Sequence, residues 1–245
     1  MKPHPASDQP QENTPQAPTV LYLVRHTDVR NPNNICYGRL PRFDISKLGR
    51  EQAERTASAL AEVPVDAFYT SPLKRARRTA RILAGRHGKV PVRVLGLLNE
   101  VRTSWQGCSY EAVKKINFDF YNNRLKETDE TLDIIRRRID NFVREVRRHH
   151  PGQTVVAVTH GDIVGLAEAV FSGRPIATES IREPNLEPGK GSLIRLTFSS
   201  DLAKYFPTSM EYYDPNGEDP AWNQGWVKLE PVSAEVGHTR EEQVR

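Results

Sequence analysis

The chain has 245 residues, 37% apolar and 27% charged, with 35 Lys and Arg against 31 Asp and Glu and a formal net charge of +4. That length supports one large domain, two at most, with a core that needs no staples. No apolar run approaches the roughly 20 residues of a membrane helix, and the two cysteines, Cys36 and Cys108, exclude a disulfide framework. The opening stretch has no apolar segment of the secretory kind, so a cytoplasmic protein without membrane contact is expected. The positive balance alone fits nucleic acid, an anionic surface, a small acidic substrate or a solvated arginine-rich face.

Residues 1–18 hold five prolines and only three apolar residues, Met1, Ala6 and Ala17. Such a segment buries too little to offset its ordering entropy and reads as a disordered tail. Thr19–Val24 follows as a β-branched run of the kind buried on both faces of a parallel sheet. Ser46 caps a helix predicted to run to about Glu62, with Leu48, Ala53, Ala57 and Leu60 inward. A strand over Ala67–Thr70 leads to Pro72, which suits the first turn of a helix burying Ala76, Ala80 and Leu83. Another strand is expected at Val92–Leu95. Ser109–Arg124, with Tyr110, Phe118, Phe120 and Tyr121, reads equally as a lid or as a core-packing helix. Thr128–Arg148 carries Ile135, Ile139, Phe142, Val143 and Val146 on one stripe and arginines on the other face, and Pro151-Gly152 stops it. Then come a strand at Thr154–Thr159, a core helix from about Asp162 to Phe171 and a strand at Ser192–Phe198. Alternation of this kind predicts an α/β domain over 19–200, helices lying on both faces of a mostly parallel sheet. The aromatic extension 201–245 is expected to pack partly on the domain, with Ala234–Arg245 frayed.

The two buried runs end alike, in Arg25-His26-Thr27 and in His160-Gly161-Asp162. Carboxyl ends of parallel strands form the ligand crevice, so His26 and His160 are expected to face one another. Asp28 and Asp162 keep a metal reading open, but Arg25 beside His26 would repel a cation and suits an anion. Arg75, in the basic run after the strand Ala67–Thr70, opens at the same crevice, and Glu100 supplies a carboxyl from a fourth position. Together these groups match phosphoryl transfer without metal: arginines neutralise the non-bridging oxygens, a neutral histidine attacks, and a carboxylic acid protonates the leaving alkoxide. Nearby arginines should lower the histidine pKa, while burial against phosphate should raise that of the glutamate.

Five blocks in order carry a resemblance: LVRHT at Leu23–Thr27, GRLPRFDISKLGREQA at Gly38–Ala53, SPLKRARRTA at Ser71–Ala80, LNE at Leu98–Glu100 with WQG at Trp105–Gly107, and VTHGD at Val158–Asp162. The sequence resembles the histidine phosphatase superfamily, the branch of cofactor-dependent phosphoglycerate mutases and related phosphatases, over roughly residues 19 to 200. The resemblance implies a three-layer α/β/α sandwich and a small phosphorylated substrate, with no metal and no organic cofactor. It makes His26 the phosphorylated nucleophile, Arg25, Arg75 and His160 the phosphate ligands, and Glu100 the proton donor. Two positions depart from the family pattern: Thr27 replaces the usual glycine, and Pro32, between Asn31 and Asn33-Asn34, stands where an asparagine is common. Only modest structure fits between Glu100 and His160, which favours hydrolysis over a water-excluding mutase. A noncatalytic phospho-ligand domain is disfavoured because a binder needs no proton donor. Nucleic acid on the basic helix Arg136–Arg148 is also disfavoured, that face reading as solvated.

Overall fold

The computed structural model of the chain describes residues 17–182 and 187–232. The expected tail (all but Ala17 and Pro18) and the expected frayed end lie outside the described residues. TVLYLVR forms β1 (Thr19–Arg25), paired in parallel with TVVAVT of the strand Thr154–Thr159, residue for residue from Val20 on Thr154 to Arg25 on Thr159. Between them in sequence come helix α1 (Lys47–Ala59), strand β2 (Ala67–Thr70), helix α2 (Lys74–Ala84), strand β3 (Val92–Val94), the one-turn α3 (Tyr110–Lys114) and the long α4 (Leu132–His149), which make Thr154–Thr159 the fourth strand, β4. Helices α5 (Gly161–Phe171) and α6 (Glu179–Arg182) precede β5 (Leu193–Phe198) and β6 (Ser209–Tyr213); α7 (Pro220–Asn223) and β7 (Val227–Leu229) follow. The described strands form one sheet in the order β3-β2-β4-β1-β5-β6-β7. Strands β1 to β4 and β6 run one way, β5 and β7 the other.

Side-chain alternation along the central strands builds two cores. Tyr22, Val24, Phe68 and Val156 meet Ala53, Ala57 and Leu60 of the α1 segment and Ala76, Ala80 and Leu83 of α2 on one face. Leu21, Leu23, Val155 and Ala157 meet Ile135, Ile139, Val143, Leu166 and Val170 of α4 and α5 on the other. Every one of these side chains is withdrawn from solvent. The result is the three-layer sandwich, and it places the carboxyl ends of β1 and β4 side by side where the strand order reverses.

Several local expectations are corrected. Leu48 is 50% exposed, because the inward stripe of α1 runs through Gly49, Gln52, Ala53 and Thr56. Only glycine fits at the first of these, since a Cβ there would lie 2.2 Å from the Asp28 carbonyl oxygen. Pro72 precedes α2 rather than opening it, for Leu73 is still extended. Helix α4 begins at Leu132, not Thr128, with the Thr131 hydroxyl accepting from the Ile134 amide at 3.3 Å. Its basic face is not simply solvated. Arg147 is buried, donates to the carbonyls of Lys204, Asp201 (2.6 Å) and Ser199 (3.2 Å), and stacks on Phe198 at 5.2 Å. Arg144 stacks on Tyr205 at 5.0 Å, leaving Arg137 and Arg148 to water. The long stems cover apolar surface while the heads find carbonyls of the overlying loop.

Residues beyond 200 supply that loop and two strands. Tyr205 and Phe206 surround Phe171, and Trp226 packs between Tyr22 and Tyr213 with its ring centroid within 5.7 Å of each. The aromatics that lacked any period in the sequence are tertiary contacts. No helix among the described residues is long and apolar enough to cross a membrane. Arg147→Ala should strand three carbonyls and lower the unfolding free energy by about 2–4 kcal/mol. Arg148→Ala should change it by less than about 0.5 kcal/mol. Urea unfolding of the two variants against the parent is the check.

Candidate active site

Backbone pairing carries both histidines to one point. The His26 amide donates to the Thr159 carbonyl at 2.9 Å, so β1 and β4 end in register, and the two imidazole centroids lie 5.2 Å apart at 67°. Both rings are buried. Between them sits the Arg75 guanidinium, fully buried near the start of α2. Its Nε donates to His26 Nε2 at 3.0 Å. Its Nη2 donates to the Gly38 carbonyl at 2.9 Å, faces His160 Nδ1 at 3.2 Å and reaches Glu100 Oε2 at 3.3 Å. The Tyr37 ring lies beneath it, 4.7 Å from the guanidinium carbon. Four of the five expected residues, His26, Arg75, Glu100 and His160, thus form one cluster.

A guanidinium only donates and a carbonyl only accepts, so the contacts assign the tautomers. His26 Nδ1 carries a proton, donated to the Thr27 carbonyl at 2.8 Å, and Nε2 keeps its lone pair toward Arg75. His160 keeps its lone pair on Nδ1, and Nε2 donates to Ser71 Oγ at 2.7 Å. The His26 pKa is held well below the ordinary 6.5, first by burial and then by the charges of Arg75 and Arg25. Burial followed by Arg75 depresses His160 in the same direction. The lowering expected from two arginines is present, with burial the larger cause.

One ligand atom from each of His26, Glu100 and His160 lies within 4.8 Å of the others, a spacing that would also suit a metal ion. Arg75 answers that possibility, because its guanidinium touches all three residues, where a cation would have to sit. The arrangement suits an anion.

Arg25, the fifth expected residue, stands at the edge of the cluster. It pairs with Glu187 at 2.9 Å and donates to the Pro188 carbonyl, while its buried Nε has no partner among the described residues. A Cβ on Gly161 would come within 3.1 Å of this guanidinium, so the glycine directly after His160 lets Arg25 lie close. Thr27 avoids positive φ, and its hydroxyl and amide meet Thr79 Oγ1 at 3.2 and 3.3 Å. Asn31 closes its own loop through both polar atoms of Ile35, and Asn33 and Asn34 are exposed.

Sequence reasoning missed how Glu100 is held. Glu130, only 4% exposed, accepts at Oε2 from Arg39 Nη2 (2.8 Å), Arg138 Nη2 (3.1 Å) and the Arg102 amide (2.8 Å). Arg39 Nε donates on to the Glu100 carbonyl at 2.7 Å, and Arg138 Nη1 to the carbonyls of Asn99 (2.7 Å) and Leu97 (3.0 Å). The carboxylate thereby clamps the backbone on both sides of Glu100. No local pattern announces it: Arg39 looked like part of a motif and Arg138 like one more surface charge. A cavity of about 130 Å³ opens over His26, Arg25, Glu100 and Gly161, walled by Tyr37, Val101, Tyr110, Phe118 and Phe120.

The profile of the histidine phosphatase superfamily (branch 1) matches residues 21–204. An uncharacterised Mycobacterium tuberculosis protein is 48% identical over 69 residues, which are 28% of this chain and 34% of that protein, so the chain spans about a third of that relative's length. Phosphoserine phosphatase 1 of Hydrogenobacter thermophilus is 30% identical over 148 residues, covering 57% of this chain and 70% of that one. Among solved structures, Bacillus stearothermophilus YhfR superposes with a TM-score of 0.64 at 26% identity, covering 73% of this chain and 90% of that chain.

Two outcomes follow from the geometry. Glu130→Gln leaves Arg39 and Arg138 without their shared charge, and because both arginines retain some water contact the loss should be about 2–4 kcal/mol, read by denaturant unfolding. His26 and His160 remain neutral in the folded chain and take up protons in the unfolded one below 6.5. Stability is therefore complete above that pH and falls as the pH drops through it, each histidine adding a slope of up to about 1.4 kcal/mol per pH unit. Unfolding measured between pH 7.5 and 5.5 should show that fall, and replacing either histidine by glutamine should reduce its slope.

Proposed function

This chain belongs to branch 1 of the histidine phosphatase superfamily, and on that premise we propose that it is a metal-independent phosphatase of small phosphate esters working through a phosphohistidine. The observation that carries the reading is the bare Nε2 of His26, with its Nδ1 proton anchored on the Thr27 carbonyl and a guanidinium against the lone pair. An imidazole so pinned keeps its nucleophilic nitrogen unprotonated, its lone pair turned toward the guanidinium that would draw an anion.

The substrate phosphoryl group is held by Arg75 and by Arg25 Nε, which has no partner among the described residues, and His160 joins them once a proton sits on Nδ1, its nitrogen on the Arg75 side. His26 Nε2 attacks phosphorus in line; the ester P–O bond breaks, and the alkoxide leaves with a proton from Glu100. Glu100, now a carboxylate, takes a proton from water. The resulting hydroxide attacks the phosphohistidine, releasing phosphate and restoring His26. The guanidiniums balance charge on the non-bridging oxygens throughout. Named relatives support hydrolysis of small esters, phosphoserine phosphatase 1 among them. The free thiols of Cys36 and Cys108 fit the reducing cytoplasm as its compartment.

Wild-type protein quenched during turnover should carry a base-stable, acid-labile phosphoryl group, absent from His26→Ala, whose kcat should fall by roughly a thousandfold or more. Full activity in that variant would overturn the reading. Only neutral His26 attacks and its pKa lies well below 6.5, so kcat/KM should hold its plateau as the pH falls through that value and decline only in more acid solution.

A further inference from the structure

The turn after α3 is conformationally costly. Asn117 and Phe118 follow one another at φ +51° and +55°. This left-handed region disfavours bulky side chains, and strain of this kind concentrates where a ligand is gripped. The turn is held in place: the Phe118 amide donates to the Val113 carbonyl at 3.1 Å and the Asp119 amide to that of Ile116 at 2.9 Å. It directs Phe118 onto the cavity above His26, edge-on to Tyr110 with centroids 6.0 Å apart. Tyr37, Val101 and Phe120 continue this aromatic and aliphatic side of the cavity, which Thr103, Asp162 and Glu187 line elsewhere.

Resting on the phosphatase reading, we propose that the alcohol half of the substrate is a flat, apolar or aromatic group stacked against Phe118 and Tyr110, and that Phe118 is a specificity-determining residue. The phosphoryl group is drawn to the cluster below, so the carbon next to the ester oxygen must enter the space bounded by these rings. On the side formed by Phe118, Val101 and Phe120, a polyhydroxylated carbon chain would lose water and meet apolar faces. An aromatic group gains offset or edge-to-face contact. Tyr110 and Phe118 pack against the core yet keep partial exposure, whereas Val113 of the same segment is completely buried. Of the two readings of the segment 109–124, core packing holds for Val113, Phe120 and Tyr121.

Benzyl phosphate and glycerol 3-phosphate both leave as primary alkoxides, so comparing them reads the wall rather than the leaving group. The wild type should release phosphate from benzyl phosphate with a kcat/KM at least about tenfold higher, chiefly through KM. Phe118→Ala should bring that ratio close to one, and Phe118→Tyr, which restores a ring, should keep most of it; thermal melting of each variant establishes that it is folded. Equal efficiency on the two esters in the wild type would overturn this inference alone, as would a loss in Phe118→Ala shared equally by both. Release from neither ester would overturn the phosphatase reading and this inference with it.

Discussion

A fully buried guanidinium governs the site. Taking a charge out of water is expensive unless its donors are met, and Arg75 meets that demand with His26, His160, Glu100, the Gly38 carbonyl and the face of Tyr37. Each contact constrains its partner in turn. The imidazoles must be neutral and in defined tautomers, the loop at Gly38 must turn inward, and Glu100 must face the same point. Gly38 does so at φ +39°, a conformation that L side chains adopt rarely. The same charge that draws an anion also keeps the proposed nucleophile unprotonated.

Around this centre the protein arranges layers of support. Thr79 accepts from the Thr27 amide, and Ser71 fixes His160. Glu130 holds the backbone around Glu100 through Arg39 and Arg138, so a carboxylate outside the histidine cluster sets where the proposed acid stands. On the far side, the antiparallel strands β5, β6 and β7 extend the sheet, and the aromatic residues of the C-terminal part pack on the domain. Paired strands β1 and β4 place the histidines. The less regular segment after Glu100 supplies the walls of the cavity, a division of labour common to sites on α/β scaffolds.

Legibility followed the range of the determining contacts. β1 and β4 could be read because continuous β-branched runs have few alternatives, and His26 and His160 because they end those runs. The inward stripes of α1, α2 and α4 were legible wherever burial is periodic, and the error at Leu48 arose where Gly49 approaches the Asp28 backbone too closely for any side chain. Arg147 and Arg138 were read as solvated because a charge run looks the same whether its heads meet water or distant carbonyls. Tyr205, Phe206 and Trp226 showed no period since each packs on an element far away in the chain.

The sequence by itself determined the α/β architecture, the two strand-end histidines and the chemical types assembled near them, because hydrophobic periodicity and residue chemistry are local properties. Only the tertiary structure decided which nitrogen of each histidine is bare, that Arg25 stands to one side with Glu187 while Arg75 occupies the centre, and which arginines are clamps rather than surface charge. Those outcomes depend on hydrogen-bond partners brought together across as many as 163 residues of chain, as between Arg25 and Pro188. The net charge of +4 resolves the same way: its sum was legible at once, but what each arginine does was settled by the partner that folding gave it.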